Sequence, residues 1–122
     1  MENITNENII ESLENATPEQ LANKIAEILD NKKARDVKVL YVGDKTVIAD
    51  YFVLANGNTG THVRALADEV EFKIGECGLT PANAEMKADN WKVLDYSNVI
   101  VHVFDREARE FYKLDKLYTD FE

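Results

Sequence analysis

The feature that most restricts the fold is the change of hydrophobic periodicity along the chain. Between Thr59 and Gly78 the apolar residues Val63, Leu66, Ala67, Val70, Ile74 and Cys77 recur at helical spacing. On each side of this stretch lie two runs dense in β-branched and aromatic residues, 37–42 and 47–55 before it, 91–96 and 99–104 after it. Gly43-Asp44-Lys45 and Ser97-Asn98 supply turn chemistry within each pair. A helix that links two hairpins acts as a crossover, so the strands are expected to share one mixed sheet with helices packed on it.

The remaining elements fit around that unit. Thr17-Pro18-Glu19-Gln20 combines an N-cap hydroxyl, Pro at the first helical position and Gln at the third. A first helix is therefore predicted to about Asp30, with Leu21, Ile25, Ile28 and Leu29 as its buried stripe. Residues 79–90 read as a connection with a short strand at 84–86, and Phe111, Leu114, Leu117 or Tyr118, and Phe121 suggest a C-terminal helix. The predicted class is α/β, a mixed β-sheet covered by helices, in the order α-β-β-α-β-β-β-α. Residues 1–16 form a polar acidic extension, either frayed or a loosely packed helix, and residues 17–122 a single domain.

Composition limits the function. A chain of 122 residues that is 45% apolar can bury one core. Its formal charge of −9 repels phosphate backbones and anionic membrane surfaces, which argues for little direct nucleic-acid contact and no membrane partner. Residues 1–30 hold seven acids and one base, so the body beyond them is only mildly acidic. One cysteine, Cys77, allows no internal disulfide. With no apolar run near the roughly 18 residues of a membrane span and no signal-peptide pattern at the start, the chain reads as cytoplasmic.

Chemistry-bearing residues are sparse. His62 and His102 stand forty residues apart without a ligand-like spacing, so no metal site is expected. Cys77 falls on the apolar face of its helix and reads as a small hydrophobe. Gly57-Asn58-Thr59-Gly60 lacks the Lys of a phosphate loop; it reads as a turn with Asn and Gly at positive φ and Thr59 or Thr61 capping the helix. Asp50 is expected on the second strand among Ile48, Phe52 and Leu54, its carboxylate bridging amides of the 56–59 turn or of the helix start. Paired with Asp95 it could instead hold Mg²⁺ in a nucleotidyl-transfer enzyme, although the position two residues on is Phe52 rather than an acid. The densest cluster is aromatic: Trp91 to Tyr96, then His102 and Phe104, then Arg109-Glu110-Phe111-Tyr112. These residue types are enriched among interface anchors.

The segments Ala49-Asp50-Tyr51-Phe52-Val53-Leu54, Asn56-Gly57-Asn58-Thr59 with His62, Trp91 to Tyr96, Val101-His102-Val103-Phe104 and Arg109-Glu110-Phe111-Tyr112-Lys113-Leu114-Asp115 resemble the ribosomal silencing factors, the Iojap-like proteins of bacteria and organelles. The resemblance covers about Leu21 to Tyr118. It departs at Asn56-Gly57-Asn58-Thr59, Ser97, Asp115 and Tyr118, where the family usually has Thr-Gly-x-Ser, Gly, Glu and Trp. It implies a nucleotidyltransferase-like fold without demonstrated transferase activity. It also implies binding to the large ribosomal subunit through its fourteenth protein at the intersubunit face, obstruction of subunit joining, and homodimers when free. Trp91, Asp95, Tyr96, His102, Arg109 and Tyr112 are then the expected docking neighbourhood, with Asp50 and Thr59 shaping the adjoining turn and no catalytic group or cofactor. The rival readings are a metal-dependent nucleotidyltransferase-like enzyme and a self-associating scaffold.

Overall fold

A computed structural model describes residues 12–114. Its elements follow the predicted order: α1 (Pro18–Asn31), β1 (Arg35–Tyr41), β2 (Tyr51–Gly57), α2 (Gly60–Glu76), β3 (Asn83–Ala88), β4 (Trp91–Asp95), β5 (Val99–Asp105) and α3 (Arg106–Tyr112). The five strands form one mixed sheet in the order β1-β2-β5-β4-β3. β2 and β5 run parallel at its centre and every other pair is antiparallel. Parallel neighbours cannot be joined by a tight turn, and α2 is part of the crossover that links them.

Alternation along the strands sorts their side chains onto two faces. Val53, Ala55, Leu94, Val99, Val101 and Val103 face α1 and α2 and join Leu21, Ile25, Leu29, Leu66, Val70 and Ile74 in the main core. Leu54, Phe52, Ile100 and Phe104 point the other way, into a smaller cluster with Val42, Ala49 and Ala108. Truncating a fully buried side chain of the main core, such as Leu29, to alanine costs about 2–5 kcal/mol.

Local signals explain the helix ends. Thr17 Oγ1 accepts from Gln20 N–H at 3.1 Å and Gln20 Oε1 accepts from Thr17 N–H at 2.9 Å, the reciprocal box expected from the sequence. Thr59 caps α2, its Oγ1 accepting from His62 N–H at 3.0 Å. Gly78, at φ 97°, follows the end of that helix. In the turn before α2, however, none of Gly57, Asn58 and Gly60 has positive φ. Gly57 is required for another reason: a Cβ there would stand 2.9 Å from the Val63 nitrogen, so the strand could not pass the helix so closely.

The first hairpin is looser than predicted. β1 begins at Arg35 and β2 only at Tyr51, leaving residues 42–50 as a loop. Lys45 and Thr46 N–H groups both turn back onto the Val42 carbonyl, and Asp50 N–H donates to Asn98 O, so the backbone of 43–49 is drawn out of the ladder. Val47 and Ile48 are thereby exposed despite their strand propensity. β3 is longer than the strand expected at 84–86. Leu13, in the stretch read as an extension, is buried in the main core and its N–H donates to Cys77 O at 2.9 Å. Residues 1–11, Leu117, Tyr118 and Phe121 lie outside the described residues; α3 starts directly after β5, and Lys113 ends it in a left-handed conformation.

The β4–β5 turn places Ser97 at φ 76°. A side chain in left-handed geometry costs about 1–2 kcal/mol, whereas glycine adds about 0.5–1 kcal/mol of chain entropy to the unfolded state. Ser97→Gly is therefore expected to stabilise the protein by about 0.5–1 kcal/mol in urea denaturation. An unchanged or lowered stability would contradict the strain assigned to this turn.

Candidate docking face

The sheet face away from α1 and α2 carries an aromatic group that β4, β5 and α3 assemble. Register places Trp91 opposite Phe104 and Val93 opposite His102, so the four side chains share this face. The Trp91 ring lies 5.6 Å from Phe104 and 4.4 Å from Tyr112, between centroids. His102 lies 4.8 Å from Phe52 and 6.0 Å from Phe104. Trp91 Nε1–H donates to His102 Nδ1 at 3.1 Å, which leaves the ring's proton on Nε2. At the edge of this floor stand Ile48 and Tyr112, 56% and 37% exposed, and Phe111, 75% exposed, packs its ring edge against Tyr112 at 5.0 Å between centroids.

α3 is held against the sheet by polar contacts. Asp105 caps it, with Oδ1 accepting from Ala108 N–H at 2.9 Å and from Asn90 Nδ2 at 3.1 Å. Arg109 is buried and its Nη1 donates to Asn56 Oδ1 at 2.7 Å. Asn56 Nδ2 in turn donates to Asp36 Oδ2 at 3.4 Å, where a bulge in β1 sets Asp36 at φ 51°. Asn56 ends an apolar run, and a polar side chain at such a position was the signal available in the sequence for this buried contact.

The residues expected to form one site are thus divided. Trp91, His102 and Tyr112 do come together. Arg109 lies on the inner side of α3 toward Asn56, so it positions the helix rather than offering its guanidinium at the surface. Tyr96 is a core residue under the helices, where burial, with the Glu71 carboxylate adding to it, pushes its phenol pKa well above 10. Asp95 Oδ1 accepts from Ser97 N–H at 2.7 Å and shapes the turn. Asp50 requires a correction: it is exposed, just before β2, at the opposite end of that strand from Asn56 and Gly57. It reaches neither the 56–59 turn nor the start of α2, because the extended β2, rising about 3.3 Å per residue, separates it from them. Among the described residues no group of three or more His, Cys, Asp and Glu is placed to hold a metal ion, and no described helix is long and apolar enough to cross a membrane.

Burial, with a smaller contribution from Lys87, depresses the His102 pKa from 6.5 to about 3. The unfolded chain therefore takes up a proton near pH 6.5 that the folded ring refuses until about pH 3, and acid favours unfolding throughout that window. Between pH 6.5 and 5 this group should remove about 1.5 kcal/mol of stability. Urea titrations of wild type and His102→Asn, which keeps an acceptor for Trp91, should diverge over that interval, with the variant showing the flatter profile. Parallel profiles would refute this assignment.

Comparison with known proteins agrees with this architecture. Residues 15–122 match the family model described as ribosomal silencing factor during starvation. The chain is 34% identical over 92 residues to the ribosomal silencing factor of Bacillus subtilis, covering 75% of this chain and 78% of that protein. It is 31% identical over 99 residues to the mouse mitochondrial assembly of ribosomal large subunit protein 1, covering 78% of this chain and 43% of the mouse protein. A crystal structure from Chromobacterium violaceum superposes with a TM-score of 0.79 at 25% identity, covering 84% of this chain and 86% of that one. With a family model spanning nearly the whole sequence and a relative 34% identical over most of both chains, the chain belongs to the ribosomal silencing factor family.

Proposed function

We propose that this protein binds the large ribosomal subunit through that subunit's fourteenth protein, at the face that meets the small subunit, and represses translation by occupying the space needed for joining. The observation that carries this reading is the aromatic face of β4, β5 and α3. Ile48 and Tyr112 stand exposed beside Trp91, with Phe111 exposed against Tyr112, and exposed apolar groups rimmed by polar ones mark interaction surfaces. Family membership supports the ribosome as the target. The mouse relative's name points to the large subunit.

Charge favours a protein contact over an RNA contact. A chain of −9 is repelled by phosphates but can be steered to basic side chains of a ribosomal protein, with Asp95 near the rim as one acidic partner. Obstruction needs no chemical step, so the protein acts without catalysis or a cofactor, in the cytoplasm. When free it pairs with a second copy.

Sedimentation of purified large subunits with the protein, followed by joining assays with small subunits, tests the reading. Wild type should travel with large subunits and lower the yield of joined ribosomes. Tyr112→Ala should weaken binding by about tenfold or more, the loss of one anchor of about 1–3 kcal/mol, while thermal stability changes little. Wild-type protein that stays at the top of the gradient, with joining unaffected, would dismiss the proposal.

A further inference from the structure

The docking face contains a cavity of about 320 Å³ whose walls include Ile48, Phe52, Trp91, Val93, Ile100 and His102. This is the lower end of the size range of small ligand sites, about 300–1,000 Å³. Its one buried side-chain polar atom without a partner among the described residues is His102 Nε2, on a side chain that is 7% exposed. Nδ1 accepts from Trp91, so Nε2 carries the proton and is a donor with nothing to receive it. The ring is neutral, since burial holds its pKa far below its ordinary value.

From this geometry we infer that the cavity is a specificity pocket for one uncharged segment of a ribosomal protein, which inserts an apolar side chain and accepts the His102 Nε2–H bond with a carbonyl oxygen. This deepens the function proposed above and rests on it. A buried donor in an aromatic setting is satisfied best by a neutral acceptor that arrives together with apolar surface. Phosphate is poorly matched, because the cation on the cavity wall, Lys87, is held by Glu85 Oε2 at 2.6 Å. Asp95, also on the wall, accepts the Ser97 amide with Oδ1 and, as an acid, adds to the mismatch with phosphate. Apart from Asn83 at the wall, the buried floor offers a partner shape plus a single donor. A bound segment that fills the cavity but lacks an acceptor leaves Nε2 unpaired, and is disfavoured for that reason.

Two measurements on the full chain decide the matter, both with purified large ribosomal subunits as the probe. In the first, affinities are compared for wild type, Val93→Arg, His102→Asn and His102→Gln, each checked for an unchanged urea midpoint. Val93→Arg fills the cavity from β4 and should lower affinity at least tenfold. His102→Asn keeps the acceptor for Trp91 but withdraws the donor, and should lose about tenfold, whereas His102→Gln, with an amide N–H near the Nε2 position, should recover part of that loss. In the second, Ile48→Cys at the cavity rim carries a benzophenone, and photocrosslinking should join it to a large-subunit protein. If wild type binds and Val93→Arg binds equally well, the pocket is overturned while the wider function stands. Crosslinks only to ribosomal RNA, or only to a second copy of this chain, overturn it as well. If wild type fails to bind large subunits at all, the function proposed above and this pocket fall together.

Discussion

The parallel pairing of β2 with β5 is the constraint on which the rest of the molecule depends. Seven consecutive registers, from Tyr51 with Val99 to Gly57 with Asp105, put two almost wholly buried strands at the centre of the sheet. Strands buried on both faces need cover on both, and their parallel sense requires a connection that crosses the sheet. α2 supplies the crossover and, with α1, the cover on one face. Among the described helices the second face receives the seven-residue α3, and Ile48 and Tyr112 stand exposed beside its aromatic cluster.

The same pairing explains the polar contacts at one end of the sheet. β2 and β5 finish side by side, so Asn56 lies next to Phe104 in register, and α3 starts at once from Asp105. Arg109 is carried back over the strand ends to Asn56. Burying a guanidinium is unfavourable unless its donors are met, and here a side-chain amide meets one of them at 2.7 Å. The pocket region and this polar anchor are two consequences of one strand register.

Much of this was legible in the sequence because local signals agreed with the tertiary structure. The Thr17 to Gln20 box, the Thr59 cap, the 3.6-residue stripe of α2 and the Ser97-Asn98 turn each reflect interactions between near neighbours. The errors came where distant contacts prevailed. Val47 and Ile48 have strand propensity, yet Asn98 takes the Asp50 N–H and the loop leaves the sheet, carrying the Asp50 carboxylate into solvent. In the docking face, aromatic enrichment found Trp91, His102 and Tyr112 together. It could not separate them from Tyr96, which stands an odd five residues from Trp91 and so faces the helices, nor reveal that Arg109 turns inward to an amide fifty-three residues away. The orphan Nε2 depends on which nitrogen Trp91 engages, a three-dimensional fact with no trace in composition.

The brevity of α3 has its own consequence. Seven residues are too few to hold a helix in water, where nucleation is unfavourable and isolated helices shorter than about 12–15 residues are marginal. Its shape is borrowed from the Asp105 cap, the Arg109 contact and the packing of Ala108. The orientation of Phe111 and Tyr112 is therefore a property of the sheet's end rather than of the helix that bears them. Recognition and global stability need not fail together in such a design: loosening the Asn56 contact would let the aromatic pair wander while the main core, on the opposite face, stays intact.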